Sequence, residues 1–413
     1  MASKNELRLQ DRKIIIFAGL SLLLCGAVIF YYTLSRQIIL KVVGPDGKVL
    51  SGIEIYMDYT VQDGRRDSGY VCDKKGLVHL PKGEVFRDEW ERKKGVGLYG
   101  LYEDKLAGFV DVNTSDLNKE VELKLTPACR VNGKIKSTEL TNLGQEVKML
   151  KERLKNGLMP IVYVWRGNDK WQKARLCYLG QKEEFEFFLP EGTYKLKAYG
   201  FRTDYKYEDI EIAAGQKELE INFDLPADRL AHLIGKEAPE LQQIKGWINS
   251  EPIKLADLRG KVVLLDFWGI WCGACVEGMP NLIDLHEKYH DKGLVIIAIH
   301  TDSMSSVEEL EKEIKKLSKE NWNGREMPFA VALDGGGKYK VEGARPTVLG
   351  ATTAAYGINS FPTTVLIDKK GKVVEDLYIG PAVYVTDKKG KVVKKESYYE
   401  SAAAEVLKKL NEP

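Results

Sequence analysis

The sequence predicts a multidomain chain: an N-terminal transmembrane helix, two all-β sandwich-like modules, and a C-terminal α/β domain. Three observations predict this. Residues 14–35 carry no charge, the length needed to cross a bilayer as a helix. From residue 37 to about 226, short strand patterns alternate with Gly, Pro and Asp turn signals. Beyond residue 233, strand and helix patterns alternate, as in an α/β unit. At 413 residues the chain is too long for one ordinary domain. Its 44% hydrophobic content suffices for buried cores, and a net charge of +2 points away from nucleic acid.

Lys4, Arg8, Arg12 and Lys13 precede the charge-free run, so the 1–13 tail is expected to stay cytoplasmic. Everything after Arg36 is then exported, on a single-pass protein of the cell membrane. Tyr31 and Tyr32 sit where an interfacial aromatic belt belongs. The rival is a cleaved signal peptide. No small-x-small cleavage site follows the run, which is also long for a signal core. Leu24 is too bulky for a lipoprotein site at Cys25, which reads instead as a buried membrane cysteine.

The first module is expected over 37–125. Ile38 to Val43, the turn Gly44-Pro45-Asp46-Gly47, Ile53 to Tyr56, and the turn at Asp73 to Gly76 before Leu77 to Leu80 set its pattern. The second, over 126–226, has strands at Ile161 to Trp165, Phe185 to Leu189 and Lys195 to Tyr199. Leu140, Leu143, Val147, Leu150 and Leu154 fall at helical spacing and predict one helix packed on the sandwich. Leu-Pro-Lys-Gly and Leu-Pro-Glu-Gly recur in the two modules and suggest two copies of one unit. Through such turn residues, 37–225 resembles carboxypeptidase-regulatory-like and transthyretin-like β-sandwich modules.

Asp224 to Ala231 reads as a polar joint. The domain after it, 233–413, has strands at Lys261 to Trp268, Leu294 to His300, Phe329 to Leu333 and Thr363 to Asp368. Helices are expected from Cys272 to about His290, kinked at Pro280, from Val307 to Lys319, and from Glu400 to Leu410. Asp-Lys-Lys-Gly-Lys-Val-Val occurs at 368–374 and 387–393 and reads as a hairpin turn each time.

The chemistry lies in Trp271-Cys272-Gly273-Ala274-Cys275, directly after the apolar run Val262 to Trp268. A strand ending in Cys-x-x-Cys puts the first sulfur at a helix N-terminus, where N–H groups and the helix dipole favour a thiolate. The second sulfur lies one turn along, within reach of a disulfide. Such a pair can attack another disulfide and resolve the mixed intermediate. A zinc half-site is the alternative, but no second Cys-x-x-Cys or Cys/His pair sits at finger spacing. Val276 stands where haem attachment needs His. No cofactor is expected beyond the disulfide itself. Of the other cysteines, Cys72, Cys129 and Cys177 are odd in number, so at least one stays free or pairs elsewhere. Whether Cys129 and Cys177 bridge is left open.

The C-terminal part resembles the thioredoxin superfamily, in particular TlpA/ResA-type membrane-tethered thiol-disulfide oxidoreductases. The matching stretches are Ile234 to Pro239, Leu255 to Val263, the Trp-Cys-Gly-Ala-Cys motif, and Tyr356 to Thr363. The resemblance implies Cys272 as nucleophile and Cys275 as resolving thiol. It implies Asp266 as proton acceptor for Cys275, with an acid at a wetter strand end as the plainer alternative. Pro362 is implied to be a cis proline shaping the groove, with Phe361 pairing to substrate backbone. Trp271, Gly273 and Ala274 would line the substrate groove. Implied partners are disulfide-bearing exported proteins, apocytochromes among them, and a membrane electron donor, with lipid contacting 14–35.

Three departures stand out. Ala274 replaces a proline common before the second cysteine, Gly278 stands where some members carry an acid, and Gly335 to Gly350 looks inserted. The insertion is either a mobile lid or a surface loop. Two rival functions fit the sequence less well. A peroxiredoxin-like peroxidase needs Pro and Thr/Ser ahead of its cysteine, where this chain has Leu265 and Gly269. A β-sandwich binding protein with an auxiliary redox domain has no aromatic stripe or metal cluster visible in the sequence to support it.

Overall fold

The computed structural model describes residues 36–412, apart from 63–64, 67–68, 88, 156, 167–174, 181, 340–346, 382, 387–391 and 397–398. The expected anchor at 14–35 lies outside the described residues. Among the described residues no helix is long and apolar enough to cross a membrane.

In the N-terminal region, Gln37–Val43 is the centre of a three-stranded sheet, antiparallel to Leu77–Pro81 and parallel to Glu120–Lys124. A five-stranded sheet built on Val96–Tyr102 and Leu106–Val112 shares its core. Alternation places Ile38, Leu40 and Val42 inside, against Leu98 and Leu123.

The next region also has two sheets. One is built on Cys129–Lys136. The other runs in the order Lys206–Ile212, Gly192–Tyr199, Ile161–Arg166, Arg175–Leu179, Asp58–Gln62, Arg65–Arg66. Its last two strands come from the earlier part of the chain. Asp58–Gln62 pairs in parallel with Arg175–Leu179, so the expected boundary at 125/126 is crossed by a shared sheet. The chain leaves the five-stranded sheet just after Glu54–Tyr56. The Tyr99 hydroxyl donates to the Phe188 carbonyl, and Arg166 pairs with Asp111 at 2.6 Å, tying the regions further.

The single helix expected at 140–154 is two, Thr138–Glu146 and Lys148–Leu154, broken at extended Val147. The break folds one onto the other. A Cβ on Gly144 would come within 2.9 Å of Leu154, so glycine permits the close approach. Folding also assembles an aromatic row that the sequence conceals. Tyr163 stands 5.7 Å from Trp165 and 6.3 Å from Tyr199, with rings near parallel. Tyr205 packs on Tyr199 at 4.9 Å, with Lys197 Nζ 3.5 Å over the Tyr205 ring. Tyr163 and Trp165 lie on one strand, Tyr199 on its antiparallel neighbour and Tyr205 just before the next, so the rings are scattered in sequence. Cys72, Cys129 and Cys177 are buried and unbridged.

The joint at 224–231 is not a free linker. Leu225, Ala227, Leu230 and Ala231 are buried, and Asp228 caps the helix Arg229–Leu233 through the Ala231 N–H at 2.7 Å.

Within the C-terminal domain the strands are β1 (Gly246–Ile248), β2 (Val262–Trp268), β3 (Leu294–His300), β4 (Ala330–Leu333), β5 (Thr363–Ile367) and β6 (Val373–Leu377). Their order is β1-β4-β3-β2-β5-β6. β2, β3 and β4 are parallel; the others run antiparallel to their neighbours. The helices are α1 (Gly273–Tyr289), α2 (Val307–Asn321), α3 (Ala351–Tyr356) and α4 (Tyr399–Asn411). Side chains of α1, α2 and α4 share the core of one sheet face. α3 and the helix Arg229–Leu233 join the other, whose apolar cluster continues into the β region. α1 runs unbroken through Pro280.

The edge strand β6 is covered. Gly235 and Lys236 exchange backbone hydrogen bonds with Val373, at 2.8 and 2.9 Å. Arg153 Nε donates to Glu375 at 3.0 Å, and Arg202 contacts Asp228 and Asp376 at 3.2 and 3.5 Å. The first Asp-Lys-Lys-Gly copy turns β5 into β6, with Gly371 at φ +77°. The second falls largely on residues outside the description, between paired strands Val383–Thr386 and Val392–Glu396.

Candidate active site

All seven residues of β2 are buried. Val263, Leu265 and Phe267 pack on the side of α3, while Val262, Leu264 and Trp268 pack with Cys272 and Cys275 on the side of α1. Alternation therefore places Asp266 on the face that α1 covers. Asp266 is 2% exposed and lies opposite Thr364 of β5, whose hydroxyl donates to its Oδ1 at 2.7 Å. Burial pushes its pKa up to about 7, against the opposing pull of that hydrogen bond. The alternative of an acid at a wetter strand end does not describe it.

Past Trp268 the chain turns, with the Cys272 N–H donating to the Gly269 carbonyl at 3.0 Å. A Cβ on Gly269 would meet the Trp271 ring at 2.7 Å, so a side chain there would push that ring from its place against Phe361. Cys272 is the N-cap of α1, and its sulfur accepts from the Cys275 N–H at 3.2 Å. Cys272 and Cys275 form a disulfide, with Cα atoms 5.2 Å apart. Gly273 and Ala274 are the first two residues of the helix. Trp271, 59% exposed, stands edge-on to Phe361 with centroids 5.3 Å apart. The Phe361–Pro362 peptide is cis. The fold thus gathers Cys272, Cys275, Trp271 and Phe361 at the end of β2 and α1, with Asp266 beneath them in the sheet.

Two departures from the family pattern have physical explanations. Gly278 is buried, and a Cβ there would lie 2.9 Å from Gly380 Cα and from the Ile379 carbonyl oxygen. The backbone after β6 presses on α1 at this point, where Asn281 also donates to the Gly380 carbonyl at 3.0 Å. An acidic side chain has no room. Glu277 beside it is exposed. The base of the 335–350 segment is tightly held. Buried Asp334 accepts from the N–H groups of Gly335, Thr352 and Thr353 and from the Thr353 hydroxyl, at 2.7 to 3.1 Å. Asp302 accepts from the Gly337 N–H at 2.7 Å. Residues 340–346, on which the choice between lid and surface loop turns, lie outside the described residues.

One residue of the site escaped the sequence reading. His300, the last residue of β3, is fully buried beside the turn. It accepts from the Ile270 N–H through Nε2 at 3.2 Å. The available signal was a histidine ending an otherwise apolar run.

This arrangement defines a class: a thioredoxin-like domain whose helix-capping disulfide suits thiol-disulfide exchange. The sequence relatives agree. A model of the AhpC/TSA family matches residues 234–395. Thiol-disulfide oxidoreductase ResA of Bacillus thuringiensis (strain Al Hakam) is 38% identical over 151 residues, 37% of this chain and 73% of that protein. Thioredoxin-like protein YneN of Bacillus subtilis is 30% identical over 148 residues, 35% of this chain and 71% of that one. A solved structure of a putative thiol:disulfide interchange protein DsbE from Chlorobium tepidum is 26% identical, covering 43% of this chain and 98% of that one, with a TM-score of 0.30. The chain belongs to the ResA-type thiol-disulfide oxidoreductases, and it is an enzyme of that kind.

Two outcomes follow from the packing. Gly278→Ala should lower unfolding free energy by about 1–3 kcal/mol in a urea melt, the usual cost of an overpacked contact. Asp266→Asn should change how stability depends on pH, measured on the disulfide form. A raised folded pKa gives stability that is full below the unfolded value and lost as pH rises through the folded one. The parent should therefore weaken between about pH 4 and 7 relative to the Asn variant. The gap should level off above pH 7 at no more than about 4 kcal/mol, from about 1.4 kcal/mol per pH unit. Parallel melting curves across this range would contradict the shift.

Proposed function

We propose that the 272/275 pair reduces disulfides of exported proteins, with apocytochrome cysteines as one substrate class. The observation that carries this is a Cys-x-x-Cys disulfide capping α1 beside an exposed Trp271 and a cis Phe361–Pro362 peptide. In the reduced form Cys272 attacks as thiolate, stabilised by the N–H groups at the helix start. Its sulfur bonds to one substrate sulfur and the other leaves as a thiolate. Cys275 then passes its proton to Asp266 and attacks Cys272, and the second substrate sulfur leaves. The enzyme ends with the 272–275 disulfide, and a dithiol donor at the membrane returns two electrons. A carboxyl group with a pKa near 7 is half ionised at neutral pH, suited to taking that proton. Phe361, Pro362, Trp271, Gly273 and Ala274 form the strip along which an extended substrate lies.

A peroxidase is disfavoured by the same stretch of chain. Leu265 and Gly269 stand where such an enzyme has Pro and Thr/Ser, and Leu265 is buried in β2. The N-terminal sheets serve, in this reading, as sandwich-like modules of the carboxypeptidase-regulatory-like kind that hold the redox domain away from the membrane. Their aromatic row offers a surface for an accessory contact. The charge-free run 14–35 supports a single-pass anchor with the catalytic domain outside the cytoplasm.

Exchange with a disulfide substrate, assayed with the full chain, should vanish in Cys272→Ser and stop at a trapped mixed disulfide in Cys275→Ser. Asp266→Asn should slow release of reduced substrate about tenfold or more at pH 7, the scale of a lost proton acceptor, while initial attack keeps its rate. Full turnover in Cys275→Ser would reverse the assigned roles. For topology, protease added to spheroplasts should digest residues beyond 36 and leave a short membrane-bound stub. Recovery of the whole protein as a soluble form with a new N-terminus near Tyr32 would instead establish a cleaved signal.

A further inference from the structure

His300 does more than fill the end of β3. Its side chain has two distinct hydrogen bonds. The Ile270 N–H donates to Nε2 at 3.2 Å, so Nε2 carries no proton. The proton then sits on Nδ1, which donates to the Thr301 carbonyl at 2.8 Å. The ring stands edge-on to Trp268 at 5.1 Å and 87°, which fixes its plane. Burial lowers the His300 pKa to about 4, so the ring stays neutral and Nε2 remains an acceptor at neutral pH. Trp268 ends the catalytic strand, Ile270 is the middle of the turn, and Cys272 begins α1. The Thr301 N–H also donates to the Trp268 carbonyl, at 3.2 Å. The end of β3 therefore grips the turn at both Trp268 and Ile270.

We infer that His300 is a positioning residue for disulfide exchange: its Nε2 acceptor holds the Ile270 peptide and, through it, the turn that presents Cys272. The inference rests on the exchange reading of the 272/275 pair. The 3.2 Å contact from the Cys275 N–H to the Cys272 sulfur depends on where that turn sets the sulfur. The contact strengthens when the sulfur becomes a thiolate, because a charged acceptor makes the stronger hydrogen bond. A loosened turn weakens it and removes stabilisation from the dithiol form. The pair then becomes harder to reduce and Cys272 less reactive.

Three variants of the full chain separate the acceptor from the ring. His300→Gln places an oxygen near the Nε2 position, His300→Asn reaches only the Nδ1 position, and His300→Phe keeps an aromatic ring with neither. The measured quantities are the equilibrium of the 272/275 pair with glutathione and the iodoacetamide reaction rate of reduced Cys272 at pH 7. Near-UV circular dichroism and thermal midpoints identify the folded variants. In Asn and Phe the equilibrium should move about tenfold toward the disulfide, about 30 mV more reducing for a two-electron couple. Alkylation should slow by a similar factor of about ten, and Gln should stay within about threefold of the parent. If folded Asn and Gln variants both match the parent, or if Gln shifts as far as Asn, the acceptor has no such role. If Phe does not fold, the Gln and Asn pair decides alone. The exchange reading is tested separately, by the parent's turnover and its loss in Cys272→Ser.

Discussion

A carboxyl group buried in the middle of a sheet is the constraint on which the site depends. An isolated carboxylate at the position of Asp266 loses its hydration, and one hydroxyl from Thr364 offsets only part of that loss. The fold tolerates the residue by letting it hold a proton over much of the pH range. The same desolvation that makes the residue costly brings its proton affinity near neutrality. Everything around it serves that placement. β3 and β5 cover β2 on both edges, α1 covers one face, and the α3 side covers the other.

The turn after β2 shows how steric and polar constraints combine. Gly269 makes room for the Trp271 ring, which then stands outward against Phe361. Trp268, three residues earlier, points inward to His300. The chain thus passes within four residues from a closed core to an exposed reactive edge. Gly278 extends the theme along α1, since the cysteine-bearing helix meets the backbone of residues 379–380 too closely for any side chain.

Much of this site was legible in the sequence because its determinants are local. A buried strand, a Cys-x-x-Cys and a helix follow one another directly, whereas the places of Asp266 and Pro362 in the site were implied by the family resemblance. What stayed hidden depends on contacts between distant segments. His300 reads as one more strand residue until β3 is paired beside β2. The role of Gly278 requires knowing that residue 380 passes over the helix. In the N-terminal region, strands and turns were legible, but not the parallel pairing of Asp58–Gln62 with a segment more than a hundred residues later. The break at Val147 was masked because Leu140 to Leu154 keep helical spacing across it. The aromatic row was missed because Tyr163 and Tyr199 meet only through strand register.

The partly covered edge of β6 has a consequence for pairing with other chains. A sheet that ends in bare N–H and C=O groups will pair with any extended chain that reaches it. Here residues 235–238 pair with the turn at 371–372 and with Val373, the first residue of β6, and Arg153 and Arg202 pair with the side chains of Glu375 and Asp376 farther along. An extended chain is thereby kept from pairing at this end of β6. The contacts that join the two regions of the chain thus also close part of a sheet edge to other chains.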